Sequence, residues 1–211
     1  MSRLFSITTI NLFLHISKQY LLISLLTRLI LLIKIRQLTT SLNMENLTHK
    51  IEGVIEKIGN FIAWFTLFIV FITFIVVVLR YVFDIGSIAF QESTTYLHAF
   101  VFMLGAAYTL KHDDHVRVDI FYRKMSVTKK AWVDLMGTLV LLFPVCLFIL
   151  YSGWDYVFSS WGLLEESGEA GGLAYVYVLK STLFLMPILL MLQGAALVMK
   201  NLLLIKMNNH A

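Results

Sequence analysis

The chain has 211 residues, 59% apolar and only 14% charged, with a mean hydropathy of +0.81. That is too much apolar surface and too little charge for a water-soluble domain. The same composition, with two prolines, excludes a disordered or collagenous chain, and the lone Cys146 excludes a disulfide scaffold and leaves the redox compartment unread. The formal charge of +4 is not a nucleic-acid signal. Residues 1–43 hold five basic and no acidic residues, whereas the rest balances twelve basic against thirteen acidic, so nucleic acid is not an expected partner.

Residues 1–43 contain no Gly, Ala, Val or Pro, while all 11 glycines lie in the remainder. Within this leader Leu21 to Ile33 is apolar but broken by Arg28, and no small-residue cleavage site follows; neither a spanning helix nor a secretory signal fits. It is also poorer in arginine than a transit peptide. The expectation is an atypical leader, poorly ordered or not translated at all, with translation starting at Met44; residues 44–206 then form the membrane domain and 207–211 a tail.

From Thr48 to Asn60, Ile51, Val54, Ile55 and Ile58 recur at i, i+3, i+4 and i+7 among Lys50, Glu52, Glu56 and Lys57. The pattern predicts a short amphipathic helix lying at the cytoplasmic interface, and a plain extension of the first span fits it equally well. Four apolar runs follow, at about 61–79, 93–110, 131–151 (interrupted by Asp134) and 181–199. At 1.5 Å per residue they reach roughly 27 to 32 Å, the thickness of a hydrocarbon core. No run alternates in polarity as a barrel strand does. The predicted fold is an all-α integral membrane protein with four transmembrane helices.

Lys111, Arg117, Arg123, Lys124, Lys129 and Lys130 lie between the second and third runs, whereas the stretch from Ser152 to Leu179 has no basic residue and carries Asp155, Glu165, Glu166 and Glu169. With Lys50, Lys57, Lys200 and Lys206 at the chain ends of the bundle, the basic-residue asymmetry predicts both termini in the cytoplasm and the acidic loop outside. Arg80 and Lys180 depart from this rule, each at a helix end where its stem can snorkel. Trp64, Trp132, Trp154, Tyr156 and Trp161 sit near span ends, as interfacial anchors do.

Chemistry-bearing residues are few. His98 is the one ionisable group deep in a run; it is a functional candidate by default, against the plainer reading of an interfacial or helix-bonding histidine. No other run contains a histidine, so a bis-histidine haem is excluded. The cluster His112, Asp113, Asp114, His115 and Asp119 has metal-ligand residue types without a metal-site spacing, and its acids suit local pairing with Lys111 and Arg117 better. Cys146 has no base nearby, so no catalysis, cofactor or metal is expected. Midplane charges of the kind an ion-coupled carrier uses are missing, and small residues take their place: Thr95, Ala99, Gly105, Ala106 and Thr109 on the second helix, and Gly194, Ala195 and Ala196 beside Gln193 on the fourth. Such faces serve packing within the bundle or on a partner subunit.

Gln91-Glu92, followed by Leu104-Gly105-Ala106-Ala107-Tyr108-Thr109-Leu110-Lys111-His112-Asp113-Asp114-His115-Val116-Arg117-Val118-Asp119, closely resembles the small, Q-type (DctQ-like) membrane subunit of tripartite ATP-independent periplasmic (TRAP) transporters. The shared pattern is an acid opening the second helix (Glu92), a Gly-Ala-rich helix (Gly105 to Ala107) and His-x-x-x-Asp (His115, Asp119). The pair Arg80-Tyr81 also looks like the family, and the resemblance covers about Met44 to Leu204. It implies a non-enzymatic scaffold in a bacterial inner membrane. Its implied partners are a large M-type permease subunit, a P-type periplasmic solute-binding protein and the lipid bilayer, in sodium-driven symport of an organic acid. Arg80, Tyr81, Glu92, Gly105, His115, Asp119 and Gln193 become candidates for partner-subunit or structural roles. Ser87-Ile88-Ala89, Glu166 to Leu173 and Leu179-Lys180-Ser181 resemble small subunits labelled for mannitol, chloroaromatic or 2-oxo acid uptake. Two departures are Ala174, where a proline usually stands, and Pro187, deeper in the fourth helix than usual. The alternatives are a stand-alone small carrier and a membrane anchor for a redox enzyme.

Overall fold

The computed structural model describes residues 2–115 and 122–208. The chain divides into two compact units, Met1–Met44 and Glu45–Ala211. The described residues are helical apart from turns and one longer loop, and contain no strand. The elements are α1 (Ser2–Val82), α2 (Ile88–Lys111), α3 (Val127–Gly137), a π-helical turn (Thr138–Leu142), α4 (Phe143–Ser152), α5 (Trp154–Leu163) and α6 (Val176–Asn208).

α1 contains no proline, and its first glycine is Gly53, so no residue forces a break. Residues 48–60 therefore run straight into 61–79 as one helix, which corrects the expectation of a separate amphipathic helix in favour of the extension. Its buried seam also differs from the predicted isoleucine stripe. Thr48, Glu52, Ile55 and Ile62 are buried, Val54 is 53% exposed, and Gly59 lies on the same seam, giving alternating steps of four and three residues as in coiled-coil packing. At Gly59 a Cβ would collide with the ring of Tyr108 on α2, so glycine permits the close approach of these two helices. Phe65 meets Phe100 edge-on at 6.2 Å further along. α1 ends when Asp84 takes a left-handed conformation (φ 56°) and the Ile85 N–H reaches back to the Leu79 carbonyl at 2.9 Å. The helix end is closed by this longer-range bond, with aspartate one of the few non-glycine residues that tolerate the left-handed backbone.

α3, the π turn and α4 follow one another without a gap. Pro144 has no N–H to donate and cannot continue an ordinary ladder, and the wider π turn lies immediately before it, with the Phe143 N–H bonding the Thr138 carbonyl. α6 crosses closely here. A Cβ on Gly194 would lie 3.0 Å from Leu142 and Phe143 and 3.2 Å from Thr138. At Gly153 the ladder is kept by Gly153 N–H to Ile149 O (2.9 Å) and Val157 N–H to Gly153 O (3.0 Å), and α5 continues. The first part of the predicted outer loop, from Ser152 onward, is thus largely helix. Aromatic packing of Trp154 and Phe158 against Phe184 holds it on α6, and the Trp161 indole N–H bonds the Ser181 hydroxyl at 2.8 Å. Pro187 is buried inside α6, which runs on past it.

Among the described residues, three helical stretches are long and apolar enough to cross a membrane: Lys34–Val82, Val127–Leu163 and Val176–Asn208. α2, at 24 residues, reaches about 36 Å, but Gln91, Glu92, His98 and its threonines make it less apolar than the other three. Phe61, Trp64, Phe71 and Phe74 on α1 are each more than 60% exposed, a surface suited to lipid rather than water.

Candidate functional site

The sequence offers carboxylates at both ends of the bundle, and the structure employs them differently. Glu92, in the second turn of α2, lies beside the loop between α5 and α6. One carboxylate oxygen accepts the Ser167 hydroxyl, and the other accepts the Leu173 backbone N–H at 2.6 Å. The loop is folded for this contact. Leu164 closes α5 in the left-handed region, Ser167 N–H bonds Leu173 O at 3.0 Å, Gly172 N–H bonds Glu169 O at 3.0 Å, and Gly171 has φ +82°. A Cβ on Gly172 would sit 2.6 Å from Ser167 Cβ and 2.9 Å from Glu92 Oε1, so only glycine leaves room for the carboxylate. One residue outside the 93–110 run, Glu92 is held below the ordinary carboxylate value by the Leu173 amide first and the Ser167 hydroxyl second.

Next to this latch Lys180 binds Glu165, and its ammonium stands 3.9 Å from the centre of the Tyr156 ring. Lysine chiefly lowers the pKa of Glu165. The Glu165 carbonyl accepts the Val176 N–H at 3.1 Å, which fixes the start of α6. Lys180 departs from the basic-residue rule and is neutralised by these contacts.

At the opposite rim, Glu56 receives Lys111 at 2.5 Å and His112 Nε2 at 3.0 Å, and Glu52 receives Lys200 at 2.5 Å. Tyr122 donates to Asp134 at 2.7 Å, with Lys130 5.1 Å above the tyrosine ring, and Asn208 bonds Thr128. These pairs tie α1 to α2, α1 to α6 and α3 to α6. His112 and Asp113 belong to the turn after α2, where Asp113 has φ 61°, and His112 serves as a partner of Glu56.

The other candidates are scattered. Arg80 and Tyr81 are exposed in the last turn of α1, Tyr81 by 80%, and both Glu92 oxygens go to Ser167 and Leu173 rather than to Arg80. His115 is exposed; Asp119 lies outside the described residues, so the spacing of that pair is not described. Gln193 is buried, and its Oε1 finds no hydrogen-bond partner among the described residues. Around Gly105 the position a Cβ would take is open. Sequence reasoning set Glu92 apart but did not join it to Ser167 and Gly172; the signal was the Gly-Gly pair four and five residues beyond a serine, in a loop otherwise free of glycine except Gly168.

What the arrangement can do is clamp helices. Its polar contacts close both rims: Glu52, Glu56 and Glu165 are paired with lysines, and Glu92 is held by a hydroxyl and a backbone amide. Among known proteins, no curated protein and no solved structure matches the chain. Residues 69–203, beginning within α1 and ending within α6, match the family described as tripartite ATP-independent periplasmic transporters, DctQ component. That match spans well over half of the sequence and contains the Glu92 latch, the π turn and the Gly194 crossing, so the chain belongs to the DctQ-component family of TRAP transporters.

Proposed function

We propose that this protein is the bracing small subunit of a TRAP transporter in a bacterial inner membrane, holding a large permease subunit that carries an organic acid with sodium. A periplasmic solute-binding protein delivers the substrate to that assembly. The observation that carries the reading is the family match over 69–203. It is supported by where the polar groups lie: Glu52, Glu56, Glu92 and Glu165 are all spent on fastening this chain's own helices, which leaves coupling of ion to substrate to the larger partner.

In this reading α2 is the fourth crossing, and both termini are cytoplasmic. Supporting it, the two ends of α2 reach opposite rims, with Glu92 on the α5–α6 loop and Lys111 on Glu56. The charge asymmetry of the flanking loops points the same way. Reporter fusions at Lys124 and at Glu169 test the topology; periplasmic activity at Lys124 would overturn it. For the function, the gene is deleted and uptake of radiolabelled organic acids is measured, and the purified chain is placed alone in liposomes. Uptake should be lost in the deletion and absent from the liposomes. Concentrative uptake by the chain alone, independent of a binding protein, would make it a carrier instead.

A further inference from the structure

The outward surface of α2 differs from every other outward surface in the four apolar runs. Gln91, Thr95, His98 and Phe102 follow at steps of four, three and four residues and are all exposed, Phe102 by 70%. Gly105 and Thr109 continue the same line. The opposite side of α2 is occupied within the chain, by α6 around Ala107 and by α1 at Phe100 and Tyr108. Among the described residues, His98 is the one exposed side chain in the four runs that carries an imidazole, amide or charge, and it makes no hydrogen bond. The exposed residues of 131–151 and 181–199 carry no amide, imidazole or charge and are chiefly apolar, as at Val133, Met136, Phe148, Leu185, Ile188 and Leu192, and the exposed polar residues of 61–79 are two threonines, Thr66 and Thr73.

Three features make lipid a poor cover for this face. An imidazole facing hydrocarbon leaves its ring nitrogens without partners, which is unfavourable. α2 is also the helix that falls short in apolarity, as one enclosed by protein on several sides can. Gly105, finally, is not needed by the chain's own packing. Gly59 and Gly194 admit Tyr108 and Leu142, whereas nothing lies within 4 Å of a Cβ at Gly105. A glycine at an open mid-helix position weakens the helix unless another backbone comes close to it. Beside the face, between α1 and α2, opens an apolar groove of about 500 Å³ lined by Phe61, Phe65, Leu97, Phe100 and Leu104.

We propose that the Gln91–Thr95–His98–Phe102–Gly105 face of α2 is the seat of a transmembrane helix of the large permease subunit. That helix passes over Gly105, fills the neighbouring groove with apolar side chains and supplies a hydrogen-bonding group to His98. The assignment rests on the functional reading above, because it takes the large subunit as the occupant.

The full chain is co-expressed with the large subunit, and the complex is captured through a tag on the latter. Gly105→Leu should lower the recovered small subunit about tenfold by overfilling the contact. It should leave the membrane level of the separately purified chain unchanged and its melting temperature no lower, since a Cβ there meets nothing of the chain's own and leucine is the better helix former. His98→Leu should lower recovery about threefold. Phe148→Ala, on the outward face of α4, should leave recovery unchanged. Wild-type recovery with Gly105→Leu would overturn the assignment of the face while leaving the functional reading intact. Failure of the wild-type pair to co-purify would overturn both. Should Gly105→Leu not insert, single cysteines at His98 and Phe102 are cross-linked in membranes: adducts with the large subunit support the proposal, and adducts solely with a second copy of this chain, or with nothing, overturn it.

Discussion

The two rims of the bundle solve the same problem, holding a carboxylate near a membrane boundary, with opposite chemistry. Glu52 and Glu56 are met by lysines at the ends of long, adjustable stems, so the pairs tolerate small movements of the helices that carry them. Glu92 is met by a backbone amide and a short hydroxyl, in a loop whose shape depends on Gly171 and Gly172. Nothing in that contact can stretch. The lysine rim specifies which helices are neighbours; the latch specifies where one helix end stands relative to one loop.

The largest effect expected from this contrast comes from the latch glycine. Gly172→Val drives a branched side chain into Ser167 and the Glu92 carboxylate, and should cost about 1–3 kcal/mol in detergent thermal unfolding. Recovery with the large subunit should fall as well. A Gly172→Val protein as stable as wild type would show that the latch is adjustable after all.

Acid provides a gentler probe. Glu92 and Glu165 have folded values below the ordinary 4.5, so their contribution is complete above 4.5 and disappears as pH falls below it through the depressed values. Melting temperature should therefore decline on acidification below that point, and Glu92→Gln should flatten the decline. An unchanged pH profile in Glu92→Gln would remove the carboxylate from the account.

Least affected should be Lys111→Met on the other rim. The pair it breaks is partly exposed and has His112 in reserve, so a slight drop in stability that fades in high salt is expected. A loss comparable to that of Gly172→Val would erase the distinction between the rims.

Much of this was open to a reader of the sequence, and the remainder was hidden for definite reasons. The apolar runs announced α1, α3–α4 and α6 because hydrophobic length is a local property. The seam of α1 stayed hidden because three of its five positions, Thr48, Glu52 and Gly59, are not apolar, so hydropathy periodicity settled on the isoleucines. α5 was hidden because acidic charge and a following glycine-rich stretch read as loop, whereas its aromatic side chains dock on α6. The partner of Glu92 lies 75 and 81 positions away, at Ser167 and Leu173, and no local pattern joins them.

The π turn at Thr138–Leu142 makes chain length in this region an angular quantity. A turn closed from i to i+5 takes up one residue more than its neighbours, which rotates everything after it by about 100° about the helix axis relative to an uninterrupted α-helix. Cys146 lies buried beyond that rotation while Val145 and Leu147 on either side are exposed. One residue fewer between Gly137 and Phe143 would turn α4 like a screw, withdraw Cys146 from the interior and present a different row of side chains to α6. One residue fewer in the 164–175 loop would turn no helix at all. Equal edits to length thus have unequal meaning along this chain, according to whether they shift the phase of a helix or the shape of a loop.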